Sequence, residues 1–140
     1  MSVGSDLRAF LLSNTAVFQA CNGRMHDRIA PEDTVTPYVV YEVSADDDET
    51  HLGGAVEMAQ MEMQYHIHAL TVDEVDVCSN AIRNVLHTFQ GVIGETEIRS
   101  AKLTSVVHFK EEIMDGSNQV VFGVVLAFSI FHRKSVPVYV

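Results

Sequence analysis

A long apolar stretch covers residues 119–132 and reads QVVFGVVLAFSIFH. β-Branched and aromatic residues dominate it and proline is absent, so the pattern predicts a strand. Alternate positions of a strand point to opposite faces. One face would carry Val120, Phe122, Val124, Leu126, Phe128 and Ile130, and the other Val121, Gly123, Val125, Ala127, Ser129 and Phe131. Because both faces are largely apolar, helices packed on one side of the sheet would leave the second face uncovered.

Three further segments predict strands that pair with this one. Residues 38–44 form a first strand directly after Pro37, residues 56–69 a second and residues 97–112 a third. In the second strand, apolar residues alternate with Gln60, Glu62, Gln64, His66 and His68. In the third strand, simple alternation places Ala101, Leu103, Val107 and Phe109 on one face, and Lys102, Thr104, His108 and Lys110 on the other. The turn sequence at residues 114–118 predicts a hairpin between the third and fourth strands.

Two segments predict helices. Residues 6–20 follow Ser5 as a candidate N-cap, and Asn22-Gly23 provides a stop. Residues 71–90 begin with a capping box, in which the Thr71 hydroxyl can accept a hydrogen bond from the Glu74 N–H while the Glu74 side chain reaches back to Thr71. Their apolar stripe comprises Val75, Cys78, Ile82, Val85, Leu86 and Phe89. Residues 24–36 and 45–54 predict an irregular connection and a solvated acidic loop.

The order of elements is therefore helix, strand, strand, helix, strand, strand. We expect one α+β domain over residues 1–140, with its core in residues 6–132 and a tail at 133–140. Its architecture would be a two-layer sandwich, in which two helices cover one face of a four-stranded, mainly antiparallel sheet.

Composition narrows the possible functions. The chain is 47 % hydrophobic and 20 % charged, which is typical of a globular domain, and its net charge is −10. Such an acidic surface repels phosphate backbones and argues against sequence-specific nucleic-acid binding. No apolar run reaches the length of a membrane span, and the first residues lack a signal-peptide pattern, so a cytoplasmic site of synthesis is expected. Cys21 and Cys78 are expected to be reduced core residues.

The chain lacks the motifs that carry common enzymatic chemistry. There is no nucleophile elbow, metalloprotease motif or phosphate-binding glycine loop, so neither catalysis nor a cofactor is expected. His66 and His68 have the spacing of metal ligands on one strand face, but a zinc site needs three or four converging ligands. A small cytoplasmic α+β module that binds a ligand or metal through these histidines is the alternative hypothesis.

The uncovered second face of the sheet favours self-assembly instead. Exposed apolar patches commonly mark interfaces, and an open sheet also leaves two edges that invite pairing. We expect the interface to include Val121, Val125 and Phe131, together with Glu62, Gln64, His66 and His68 on the polar strand face. Alternatively, the connection after Arg24 and the C-terminal tail fold over this face.

The order of these segments resembles a known family. After the first helix come Gly23-Arg24, Ala30-Pro31 and Pro37-Tyr38-Val39-Val40-Tyr41, and then an acidic loop that ends in His51. The strand Gln64-Tyr65-His66-Ile67-His68-Ala69, a helix from Glu74 to Leu86 and a late hairpin follow. This pattern is similar to the tail-completion family of long-tailed bacteriophages and prophages, which are head–tail joining or tail-terminator proteins. The resemblance extends from Leu7 to His132.

The resemblance implies a structural virion protein at the head–tail junction, assembled in the host cytoplasm. Such proteins form a ring, in this family a hexamer, that caps the tail tube protein, stops its polymerisation and presents a surface to the head connector protein. DNA passes through the lumen of the ring, and no cofactor or membrane is involved. Asp46, Asp47, Asp48 and Glu49 would then line the lumen or face a neighbouring subunit.

Overall fold

The computed structural model describes residues 3–32, 34–50, 57–94, 96–112 and 119–134, and only the backbone of residues 45–50, 57–58 and 134. Three helices and six strands lie within this part of the chain. In chain order they are α1 (Val3–Ser13), α2 (Thr15–Cys21), β1 (Met25–Asp27), β2 (Tyr38–Thr50), β3 (Glu57–Ala69), α3 (Val72–Leu86), β4 (Gly91–Ile93), β5 (Thr96–Glu112) and β6 (Val120–Lys134). None of these helices is both long and apolar enough to cross a membrane.

The sheet differs from the prediction of four mainly antiparallel strands and two helices. It has six strands in the order β1-β2-β3-β6-β5-β4, and it curls into a half-barrel. β1 runs parallel to β2, whereas all other neighbours are antiparallel. The sequence pattern missed β1 and β4 because three residues are too few to establish a period of two.

The predicted first helix is two helices. Asn14 lies between them, and its side-chain Oδ1 accepts hydrogen bonds from the backbone N–H groups of Ala16 and Val17 at 3.0 and 3.2 Å. An asparagine in this position begins a new helix because it satisfies donors that no earlier turn can reach. Asn22 follows α2 in the left-handed conformation, at a φ of 52°.

The acidic segment also departs from the prediction. Residues 45–50 continue β2, in which Asp46 pairs with Met61 and Asp48 with Ala59, although the sequence pattern indicates a solvated loop. Acidic residues are poor strand formers, so pairing with β3 overrides the local preference here. Residues 51–54 of the same predicted loop, the predicted turn at 114–118 and residues 135–140 of the predicted tail lie outside the described residues.

The core lies between the three helices and one face of the sheet. The helices contribute Leu7, Leu11, Val17, Cys21, Val75, Cys78, Ile82 and Leu86. The two central strands contribute Met61, Met63, Tyr65, Ile67, Val124, Leu126, Phe128 and Ile130. The predicted inward faces of β3 and β6 are therefore confirmed, and both cysteines are buried and free.

A bulge in β5 overturns the predicted faces of that strand. The pairing with β6 shifts between Leu103 and Ser105, so the residues beyond the shift change sides. Val107 and Phe109 therefore lie on the sheet face away from the helices, and His108 and Lys110 lie on the helix side. This shift adds two apolar side chains to the face that no described helix covers.

The start of α3 gives a direct test of the local sequence reading. The Thr71 hydroxyl accepts a hydrogen bond from the Glu74 N–H at 3.2 Å and donates to the Glu74 carboxylate at 3.0 Å. We expect Thr71→Ala to lower the free energy of unfolding by about 1 kcal/mol, because the first turn loses its acceptor. Thr71→Ser is the matched control and should retain most of this stability in urea unfolding. Equal losses for both variants would contradict the capping role.

Candidate assembly surface

The sheet face away from the helices is called here the outer face. β2 and β3 contribute Tyr38, Val40, Glu42, Gln60, Glu62, Gln64, His66 and His68. β6 and β5 contribute Val121, Gly123, Val125, Ala127, Ser129, Phe131, Lys102, Ser105, Val107, Phe109 and Glu111. Its β2–β3 half is mainly polar and its β5–β6 half is mainly apolar. Such a division suits an interface with both an apolar contact and directional hydrogen bonds.

The predicted apolar interface residues lie together on this face. Val121, Val125 and Phe131 belong to one strand and are each half-buried. Val125 pairs with Val107, whose side chain is 55 % exposed. Sequence reasoning missed Val107 because only the β5 bulge moves it to this face. The apolar half of the outer face therefore extends from β6 onto β5.

The polar half is held by contacts among its own side chains. His66 Nε2 lies 3.2 Å from Glu42 Oε1 and 3.2 Å from Gln64 Oε1. On the next strand pair, Gln60 Nε2 donates to Ser129 Oγ at 3.1 Å. These contacts fix the side chains before any partner binds, which lowers the entropy lost on association.

Three rings form a row across the outer face. The Tyr38 ring stacks on His68 with centroids 4.8 Å apart, and Phe109 meets His68 edge-on at 5.3 Å. Gly123 lies beneath Phe109, and a Cβ at this position would come within 2.2 Å of the Phe109 ring. The glycine therefore leaves the space that this ring occupies, and the row joins β2, β3 and β5 across β6.

The two histidines of the alternative hypothesis both contact other side chains on this face. His66 is engaged with Glu42 and Gln64, and His68 lies between two aromatic rings. His108, another candidate ligand, lies on the helix side of the sheet. Within the described ranges, no group of three or more His, Cys, Asp or Glu residues is arranged to hold a metal ion. His51 lies outside those ranges.

Acidic groups bias the electrostatics of this face. Burial raises the pKa of Tyr38, and the Glu111 carboxylate raises it further. Burial lowers the pKa of His68 below its usual value; the charge of His66 adds to this effect, whereas Glu111 opposes it. Asp46, Asp47, Asp48 and Glu49 follow Glu42 along β2.

Comparisons with known proteins identify the family. The profile of the family "Tail completion protein gp17" matches residues 5–132. The chain belongs to this tail-completion family. Its members are structural proteins of the phage virion, located in the tail and head–tail region. The resemblance inferred from the sequence is thereby confirmed, although its four-stranded fold was wrong.

A solved structure shares the fold. It is a chain from the "Virion of native gene transfer agent (GTA) particle", with a TM-score of 0.63 and 11 % sequence identity. The match covers 94 % of this chain and 98 % of that chain. At this identity the similarity establishes the fold alone. No curated protein sequence matches the chain.

The row of aromatic rings predicts that substitutions at Gly123 on β6 and Phe109 on β5 have coupled effects on stability. We expect Gly123→Ala to lower the free energy of unfolding by about 1–2 kcal/mol, because the new methyl displaces the Phe109 ring. In a Phe109→Ala background the same change should cost much less, since the space is then free. A double-mutant cycle measured by urea unfolding gives the coupling. Strictly additive effects would contradict the packing of Phe109 over Gly123.

His68 predicts a pH effect with a definite sign. Its pKa is lower in the folded chain than in the unfolded chain, so the unfolded state takes up more protons as the pH falls below about 6.5. The stability contributed by neutral His68 is present above that pH and is lost towards lower pH. We expect His68→Gln to flatten the pH dependence of stability below about pH 6.5 relative to the wild type. An unchanged slope would contradict this role.

Proposed function

We propose that this chain is the tail terminator of its phage or prophage. In this role copies form a homo-oligomeric ring, expected to be a hexamer, that caps the tail tube and joins it to the head connector. The observation that carries the proposal is the outer face, where Val121 and Val125 adjoin the exposed Val107 and no described helix packs. Family membership supports the same role.

A second copy of the chain is the proposed occupant of the outer face. Val121, Val125 and Phe131 would lose their remaining water contact, which is favourable in proportion to the apolar area removed. Glu62, Gln64, His66 and His68 would supply hydrogen bonds at the rim of that contact. The exposed apolar area on this face has no other explanation among the described elements.

The net charge fits the passage of DNA without adhesion. At −10, the chain repels phosphate groups, and the carboxylates of Asp46, Asp47, Asp48 and Glu49 add to that repulsion wherever they face the lumen. We propose that they line the lumen or face the next subunit. The role is mechanical and requires no catalytic group or cofactor.

A charge placed in the apolar half of the outer face should prevent ring formation. We expect Val125→Asp to weaken assembly by on the order of tenfold or more, because the interface would bury an unpaired carboxylate. Val107→Asp tests the same surface at a more exposed position, where folding is less affected. Native mass measurement with and without tail tubes gives the oligomeric state.

Val77→Asp is the control, since Val77 is 61 % exposed on the helical layer, away from the outer face. It should assemble like the wild type. Rings formed equally by all three variants would contradict the interface. Electron micrographs of tails grown without the protein test the function itself: overlong, unjoined tails are expected, whereas normal, joined tails would contradict it.

A further inference from the structure

One edge of the sheet is open over half of β5. β4 pairs only with Thr96–Ile98, the Thr88 N–H donates to the Ala101 carbonyl, and the Leu103 N–H donates to His87 Nδ1. Beyond Leu103, no described residue pairs with the edge of β5 that points away from β6. Among the described residues, nothing therefore occupies this edge at residues 104–112, where another strand can pair.

The same half of β5 is exposed on both faces as well as along its edge. All of residues 104–112 are exposed except the half-buried Phe109. Val106 and Val107 are 37 % and 55 % exposed. Proteins usually shorten, cover or charge such an edge because it invites pairing. A long, partly apolar edge that no described residue covers indicates a strand that another chain completes.

The opposite edge of the sheet is open over a similar length. β1 pairs only with Val39, Val40 and Tyr41 of β2, and the Arg28 N–H donates to the Tyr41 carbonyl just beyond them. From Glu42 to Thr50, the edge of β2 that points away from β3 has no partner among the described residues. Residues 42–50 and 104–112 are segments of equal length on opposite edges.

The directions of the strands suit a head-to-tail joint. β2 is antiparallel to β3, β3 to β6 and β6 to β5, so β2 and β5 run in opposite directions. A copy rotated about an axis along the strands would present its β2 antiparallel to β5 of its neighbour. We propose that residues 104–112 of one copy pair in this way with residues 42–50 of the next. This inference rests on the proposed ring, because a heterologous joint generates a ring when its rotation closes.

The position of the open segments sets the geometry of the joint. Glu42 is level with Ser105 across the sheet through Gln64 and Ala127, so the two open segments lie towards opposite ends of their strands. Pairing them over most of their length requires successive copies to shift by about six residues, or roughly 20 Å along the strands. Across four strands, about 19 Å wide, this shift inclines the strands by about 45°, the upper end of the range found in closed barrels. An even shift also keeps the outer faces of successive copies on one side.

The charges of the two edges disfavour the pairing of two β2 edges. The open segment of β2 contains five acidic residues, at positions 42 and 46–49. The open segment of β5 contains Lys110 on the helix side of the sheet and two acidic residues, Glu111 and Glu112, so it is much less acidic than the open segment of β2. With a shift of six residues, position 46 lies opposite His108, position 43 opposite Lys110 and position 42 opposite Glu111. Two copies of the acidic β2 edge would repel each other instead.

Engineered cysteines test the joint directly. Val43 is 47 % exposed on the helix side of β2, and Cys21 and Cys78 are buried, so they do not interfere. We expect Val43→Cys combined with His108→Cys or Lys110→Cys to form intermolecular disulfides in oxidised rings, because paired strands bring the two positions within bonding distance. The double variants should give a ladder of covalent multimers on non-reducing gels, with about tenfold more product than the control. A mixture of the Val43→Cys single variant with the His108→Cys or Lys110→Cys single variant should give covalent dimers and no larger products.

The matched control combines Val43→Cys with Arg99→Cys, an exposed position in the half of β5 near β4. Rings that form normally but give no more cross-links in the double variants than in this control would overturn the edge joint and leave the terminator role intact. Dimers from Lys110→Cys alone would also overturn it, since they indicate pairing of two β5 edges. A wild-type chain that remains monomeric on tail tubes would refute the proposed function itself.

Hydrogen exchange provides an independent readout that requires no substitution. We expect the amides of residues 104–112 to exchange at least tenfold more slowly in the ring than in the monomer, because a new ladder protects those that point outwards. Unchanged exchange in this segment on ring formation would overturn the edge joint.

Discussion

The fold depends on a central strand that is apolar on both faces. The helices cover Val124, Leu126, Phe128 and Ile130 on one side of β6, and these residues form the core with β3. On the other side, Val121 and Val125 meet only the side chains of neighbouring strands within the described parts of the chain. A single layer of helices cannot bury both faces of a sheet. The second face is therefore the surface on which the proposed assembly depends.

Much of the architecture could be predicted from residue patterns. Alternation over β3 and β6 is regular enough to fix their bounds within a few residues and to identify the buried face of each. The start of α3 is encoded locally, because the Thr71 hydroxyl and the Glu74 backbone and side chain satisfy each other without help from distant residues. Such local signals are read from sequence because no tertiary contact is needed to produce them.

The remaining features arise from pairing between distant strands. β1 and β4 exist because longer strands hold them, and the acidic residues of β2 are extended because β3 pairs with them. The bulge after Leu103 has the largest effect on the candidate site. It moves Val107 and Phe109 to the outer face, where Phe109 fills the space above Gly123. The local sequence does not predict this bulge, so the extent of the apolar surface could be determined only from the structure.

The central claim is that copies of this chain associate through the outer face and the edges of its sheet. A structure of the ring on an isolated tail, determined by electron cryo-microscopy, is its most direct test. The account predicts that copies bury Val121 and Val125 against one another or join by a strand added beside β5. A ring in which copies touch only through α1, α2 and α3, with the outer face and both edges open, would contradict it.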